Sequence, residues 1–156
     1  CTDKFRARFN RLLLSYNLLE KKLSSISLKP VIKSDSKFLF DLLKERNPKA
    51  NISHKKMPSY DEHIQFIRSK PYTKWYIILQ SKKKVGSIYL SKNDEIGIFI
   101  SKKYQGSDIG KHALCQLINK NPRNRYLANV NPKNKRSIRF FKNNNFQLLQ
   151  YTFEKT

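Results

Sequence analysis

Apolar positions recur along this chain at two different spacings, and the change between them divides it. In residues 1–25, Phe5, Phe9, Leu12, Leu13, Tyr16, Leu19 and Leu23 follow one another at three- and four-residue steps. That is the spacing of one helix face, so an amphipathic helix is expected there. It reads as an extension or linker ahead of a domain over residues 26–156. Such a helix either packs on that domain or forms the tail of a neighbouring one.

Beyond it the pattern alternates between strand and helix periods. Residues 27–32 form a short predicted strand. Ser34 or Asp35 caps a helix carrying Phe38, Leu39, Leu42 and Leu43, which stops near Asn47 and Pro48. A polar loop covers residues 50–58. Ser59 and Glu62 have the spacing of a capping box and open a helix through Ile64 and Ile67, ended by Lys70 and Pro71. Strands over 74–79, 85–90 and 95–100, separated by turns at 81–84 and 93–94, predict an antiparallel meander. A helix with Ile109, Ala113, Leu114, Leu117 and Ile118 follows. Then come a strand over 126–130, a helix over 134–144 and a strand over 146–153. A strand–helix–strand unit behind a meander implies an α/β fold with a mixed, mostly antiparallel sheet flanked by helices.

Composition narrows the class. A chain of 156 residues with 38% hydrophobic residues, ten Phe and eight Tyr is long and apolar enough to bury a core as one domain. No apolar run approaches the roughly 18 residues of a membrane span, and the basic N-terminus lacks the apolar stretch of a secretory signal. The two cysteines, Cys1 and Cys115, suggest neither a disulfide framework nor a zinc site, which fits a reducing cytoplasm. Cys115, between Leu114 and Leu117, is expected to be a buried core thiol. Lys plus Arg is 33 against 11 Asp plus Glu, a net charge of +22. Such a balance favours acidic or phosphorylated ligands. A nucleic-acid-binding module is one rival reading, but it needs basic residues gathered on one face, and here they are scattered.

The segment over 95–114 carries the chemistry. A strand runs into a loop with Gly106 and Gly110 and then directly into a helix. A helix N-terminus offers unpaired N–H groups and the positive end of a dipole, and glycines let the backbone approach a phosphate. This arrangement suits a pyrophosphate. The loop resembles motif A of the GNAT-type N-acetyltransferases, Gln/Arg-x-x-Gly-x-Gly/Ala, with Gln105 and Gly110 on its first and last positions. The run over 131–146 resembles that family's second signature through Asn134, Ser137, Phe141 and Phe146. The resemblance covers about residues 27–154, with two departures. Asp108 stands where Gly is usual and is expected to serve as the helix N-cap. Asn145 replaces the Gly before Phe146, and Asn tolerates the left-handed conformation that Gly would adopt there.

The resemblance implies a GNAT-like fold with a splayed central strand pair, acetyl-CoA as cosubstrate, no metal, and direct attack by an amine in a ternary complex. By this likeness Ile98, Phe99 and Ile100 seat the pantetheine arm, bonded by main-chain groups of Ile98 and Ile100. Gln105, Gly106, Ser107, Asp108, Ile109, Gly110 and Lys111 take the pyrophosphate. Asn134 contacts the cofactor's far arm, Phe141 packs on the pantetheine, and Ser137 belongs to the same cofactor-binding set. Glu95 is the first candidate for the base and His63 the second. His54, Phe66, Trp75 and Tyr76 are candidates for the acceptor pocket. Phe141 occupies a position where many members carry the Tyr that protonates the thiolate, which leaves Tyr104, Tyr126, Tyr151 or solvent for that role. The expected partner is a small-molecule amine, neutral or anionic given the +22 charge, and the protein is expected to be a monomer or homodimer. A CoA-binding but catalytically degenerate domain is the other rival reading.

Overall fold

The computed structural model describes residues 2–23, 25–46 and 56–155. Helix α1 (Thr2–Leu23) precedes strand β1 (Ile26–Pro30). A 3-10 turn (Lys33–Asp35) leads into α2 (Ser36–Lys44), and then come α3 (Tyr60–Arg68), β2 (Lys74–Gln80), β3 (Lys83–Leu90) and β4 (Ile96–Ile100). A second 3-10 turn (Lys102–Tyr104) precedes α4 (Ile109–Lys120), and α5 (Lys135–Asn143) follows. The sheet runs β1-β2-β3-β4 with every neighbour antiparallel.

Turn chemistry sets this meander. Ser81 and Lys82 both take positive φ, 48° and 68°, the two-residue hairpin turn whose twist matches that of the strands it joins. Asp94 (φ 62°) does the same service at the next turn. Ser59 accepts from the Glu62 N–H at 3.2 Å while Glu62 accepts from the Ser59 N–H at 2.6 Å, so the expected capping box opens α3.

Strand alternation gives the sheet two faces. Ile78, Ile88, Leu90 and Ile96 point one way and are buried against Ile109, Ala113, Leu114 and Leu117 of α4. Gln116 Nε2 on α4 also donates to the Ile26 carbonyl at 2.7 Å. The other face carries Trp75, Ile77, Ser87, Tyr89, Gly97 and Phe99, aligned by register. Asp35, fully buried, fastens the start of α2 to this sheet. Burial alone would raise its carboxyl. It is outweighed by Lys84 at 2.6 Å, the Ile32 N–H at 3.0 Å and Lys29 at 3.7 Å, which hold it below the usual carboxylate range.

Three expectations, on residues 126–130, residues 146–153 and Cys115, are corrected. Residues 126–130 form no regular strand; they touch β4 through one parallel bridge, Glu95 with Leu127. Residues 146–153 are not a strand either, and Leu148, Leu149, Tyr151 and Phe153 are exposed. A strand satisfies its main-chain groups only through a neighbour, and among the described residues neither segment lies in a ladder. Cys115 is exposed, because Ala113 and Leu117 turn toward the sheet and place it on the outer side of α4. Helix α1 exposes Phe9, Leu12, Leu13, Leu14, Tyr16 and Leu18, so these side chains do not pack on the domain.

Candidate active site

Strand β4 is paired along one edge only. Its inner edge bonds β3, as the Ser91 N–H to Glu95 carbonyl bond (2.9 Å) and the Ser101 N–H to Val85 carbonyl bond (2.9 Å) show. Its outer edge begins with the Ile96 N–H donating to the Leu127 carbonyl at 2.7 Å, next to the Leu127 N–H donating to the Asp94 carbonyl at 2.9 Å. Past that point no further bridge joins the two segments. The two-residue repeat of a ladder directs the main-chain groups of Ile98 and Ile100 to the same open edge as Ile96. The Ile100 carbonyl is taken by Gln105 Nε2 at 2.7 Å. Phe99 differs from its neighbours: its main chain pairs with Ser87 of β3 and its side chain lies on the α2–α3 face.

Where β4 and residues 127–130 part, a solvent-open cleft of about 100 Å³ is lined by Arg46, Tyr89, Glu95, Ile96, Gly97, Ile98, Asn129 and Phe141. Glu95 stands at its head with both oxygens engaged. Oε1 accepts from Asn129 Nδ2 at 2.8 Å and Oε2 from Ser91 Oγ at 3.2 Å. Ser91 Oγ in turn accepts from the Asn93 and Glu95 N–H groups, each at 3.2 Å. A carboxylate oxygen has two acceptor directions, so Glu95 is held in place and can still take a proton. Phe141, buried on α5, closes the other side of the cleft and meets Phe140 and Phe146 edge-on at 5.2 and 5.1 Å.

The wall facing α3 is aromatic. Tyr89 stacks on Tyr72 with ring centroids 3.7 Å apart and planes 6° from parallel. Trp75 meets Tyr72 and Phe66 edge-on at 5.0 and 6.1 Å, and its Nε1 donates to Ser87 Oγ at 3.2 Å. Burial and the Tyr89 hydroxyl push the Tyr72 hydroxyl well above its usual range, with the Arg46 charge opposing them. Tyr89 lies directly over Gly97, where a Cβ would sit 2.1–2.3 Å from its ring carbons and hydroxyl. Any side chain there would force the Tyr89 ring to move.

At the far end of β4 the loop makes a cradle. Gly106 turns with φ +81° and has open space where a side chain would be, whereas Gly110 is buried against Phe140. Among the described residues, no acceptor meets the main-chain N–H groups of Gly106, Ser107, Asp108, Ile109, Gly110 or Lys111; the first bond of α4 is His112 N–H to the Asp108 carbonyl at 3.1 Å. These unpaired donors at a helix N-terminus fit a diphosphate. Asp108 holds the N-cap position, but its side chain is exposed and makes no capping bond, which corrects the expectation that it caps α4. Ser107 Oγ donates to the Tyr104 carbonyl at 2.8 Å. Gln105 Oε1 accepts from Arg136 Nη1 on α5, which ties the loop to that helix. Asn134 caps α5, its Oδ1 accepting from the Ser137 N–H at 3.1 Å. Asn145 adopts φ +66°, the left-handed conformation expected of it.

Other predicted residues lie elsewhere. His63 is buried between α2 and α3, its Nε2 on the Ser36 carbonyl at 3.1 Å and its ring beside Phe40 and Tyr60. It does not line the cleft. Burial lowers its pKa, with the Ser36 carbonyl opposing. Tyr76 points to the α4 face, with its hydroxyl 3.4 Å from Asn121 Oδ1, and so shares no pocket with Trp75. Phe66, although exposed on α3, joins the aromatic wall through its edge contacts with Trp75 and Tyr72. His54 lies outside the described residues. Of the spare tyrosines, Tyr126 donates to the Asn121 carbonyl at 2.8 Å and accepts from the Arg123 N–H at 2.9 Å, and Tyr151 is exposed. Arg46, Tyr72, Tyr89, Ser91 and Asn129 were not identified from the sequence as site residues. Only Ser91 carried a local signal, since a serine four residues before Glu95 in a turn can bond back to it.

Among the described residues no group of His, Cys, Asp and Glu suited to a metal ion occurs, and no helix is long and apolar enough to cross a membrane. The sequence pattern of the acetyltransferase (GNAT) family matches residues 37–146. No curated protein matches the chain in sequence. Among solved structures, a domain from Methanocaldococcus jannaschii is similar, with a TM-score of 0.71 and 24% identity over 83% of this chain and 92% of that one. RimL, a ribosomal L7/L12 alpha-N-protein acetyltransferase in complex with coenzyme A, gives 0.66 and 16% over 81% and 82%. The spermidine N-acetyltransferase of Vibrio cholerae gives 0.65 and 15% over 85% of each chain. At these identities the likeness is one of fold.

Proposed function

This chain belongs to the acetyltransferase (GNAT) family, and we propose that it transfers an acetyl group to a primary amine by direct attack, with Glu95 as the base. Acetyl-CoA, when bound, supplies the acetyl group activated as a thioester. The N–H groups from Gly106 to Lys111 hold the diphosphate of such a ligand, and the charge of Lys111 adds to them. The open main-chain groups of Ile98 and the Ile100 N–H, whose own carbonyl is held by Gln105, bond its amide-bearing arm, and Phe141 packs beside it. A main-chain N–H on this edge also offers a donor to a carbonyl oxygen that gains charge.

An amine of pKa near 10 is neutral in about one part in 10³ at pH 7, a deficit of about 4 kcal/mol. A positioned carboxylate that takes the amine's proton offsets part of it. The observation that carries this reading is the Glu95 carboxylate, held by Ser91 and Asn129 at the head of a cleft between diverging segments. Trp75, Tyr72 and Tyr89 wall the acceptor side. The net charge of +22 disfavours a polycation such as the spermidine named for the Vibrio cholerae neighbour, so the acceptor is neutral or anionic.

The test is thiol release from acetyl-CoA across a panel of amines, beside calorimetric titration of coenzyme A. Binding with amine-dependent release supports the proposal. Absence of heat on titration removes the cradle, and with it the reading.

A further inference from the structure

Arg46 lies just past the C-terminal end of α2 at the rim of the cleft. Its backbone is anchored by its neighbour. Glu45 accepts from Ser101 Oγ at 3.0 Å and from the Lys102 N–H at 2.7 Å, which fixes the end of α2 to the end of β4. The Arg46 guanidinium rests 5.3 Å from the centre of the Phe99 ring, on the face that carries Gly97 and Tyr89.

No carboxylate among the described residues forms an ion pair with it, and residues 47–55 contain no Asp or Glu at all. Among the described residues the one acid lining the cleft is Glu95, whose two oxygens accept from Asn129 and Ser91. The cleft therefore presents an acid suited to an amine at one position and an unneutralised guanidinium at another. A guanidinium on an aromatic shelf keeps its planar fork of donors available for a carboxylate or phosphate, which it binds through paired, charge-assisted hydrogen bonds.

Resting on the acetyltransfer reading above, we propose that Arg46 determines acceptor specificity, selecting amines that also carry an anionic group, either a carboxylate or a phosphate. The amine is then set toward Glu95 and the anion toward Arg46, so the separation of the two groups in the acceptor matters as well as their presence.

The experiment uses matched acceptors with the full chain. ω-Amino carboxylates of increasing length are compared with alkylamines of the same length, and amino-sugar phosphates with the unphosphorylated amino sugars. The expected result is at least about a ten-fold preference in kcat/KM for the anionic member of one series, with an optimum length in the carboxylate arm. The series that shows it distinguishes carboxylate from phosphate. In Arg46→Met the preference collapses, chiefly through KM, and Arg46→Lys restores part of it. Equal use of charged and uncharged acceptors by the native protein overturns the assignment, as does a preference that survives Arg46→Met. If no amine is accepted, the acetyltransfer reading itself has failed. Calorimetric binding of the same carboxylates and phosphates to CoA-loaded protein then decides on Arg46: binding weakened by Arg46→Met upholds it, and absent or unchanged binding overturns it.

Discussion

Asn129 Nδ2 donates to Glu95 Oε1 at 2.8 Å across the gap where β4 and the 127–130 segment diverge. The bond spans the mouth of the cleft and fixes the carboxylate on the side away from Ser91. Replacing Glu95 with Gln keeps the size and the bond to Ser91 but removes the proton acceptor. Turnover at neutral pH is expected to fall by about 10²- to 10⁴-fold, with coenzyme A affinity nearly unchanged. Activity equal to that of the native protein would remove Glu95 from the mechanism.

Asp108 places an exposed carboxylate beside the unpaired N–H groups of the cradle and caps nothing. Asp108→Asn is therefore expected to tighten coenzyme A binding by roughly three- to ten-fold, since a repulsive charge leaves the positive end of a helix dipole. Thermal stability should hardly move. Weaker binding in calorimetry would mean that the carboxylate does something for the loop other than repel.

Gly97 leaves room for the Tyr89 ring. A Cβ there meets ring atoms at 2.1–2.3 Å, so the ring must shift, and a shift disturbs its stack on Tyr72. Gly97→Ala should cost about 1–3 kcal/mol in stability and lower kcat/KM by about ten- to a hundred-fold as the acceptor wall shifts. Denaturant melts and kinetics measured on the same preparation test both numbers. A variant as stable and active as the parent would show that the wall is free to move.

Two buried groups shape stability against pH. The His63 pKa is lowered by burial, so the unfolded chain takes up the proton first; stability is full above about pH 6.5 and declines as pH falls below it. The lowered pKa of Asp35 acts further down. Its ion pairs with Lys84 and Lys29 contribute fully above the ordinary aspartate range, and that contribution is lost as pH falls through its depressed value. Urea melts at stepped pH should show both limbs. His63→Gln should flatten the upper one, and Asp35→Asn should destabilise at neutral pH by about 2–4 kcal/mol. A stability curve flat from pH 7 to below pH 5 in the native chain would contradict the assignment of His63.

Much of the scaffold was legible because it rests on local rules. The Ser59–Glu62 box, the turn at Ser81 and Lys82 and the left-handed Asn145 follow from residues within a few positions of one another. The glycine turn at Gly106 ahead of α4 was legible for the same reason. What the sequence missed depends on contacts distant along the chain. Asn129 matters because the 127–130 segment is brought beside Glu95, and Arg46 because α2 ends against β4. Neither relation has a spacing to read. Tyr76 was misassigned because it neighbours Trp75, although adjacent residues of a strand face opposite ways. His63 was misread because burial between α2 and α3 is a tertiary outcome. The expected strands over 126–130 and 146–153 had suitable residues but no partner in a ladder.

Glu45 does more than steady its own helix. By accepting from Ser101 and Lys102 it fastens the rim of the cleft to the stem of the loop that opens α4. Arg136 holds the same loop from α5 through Gln105, so its stem is fastened from two sides. Removing the Glu45 carboxylate would therefore free the rim of the cleft and one of the loop's two fastenings together, leaving Arg136 to hold the other.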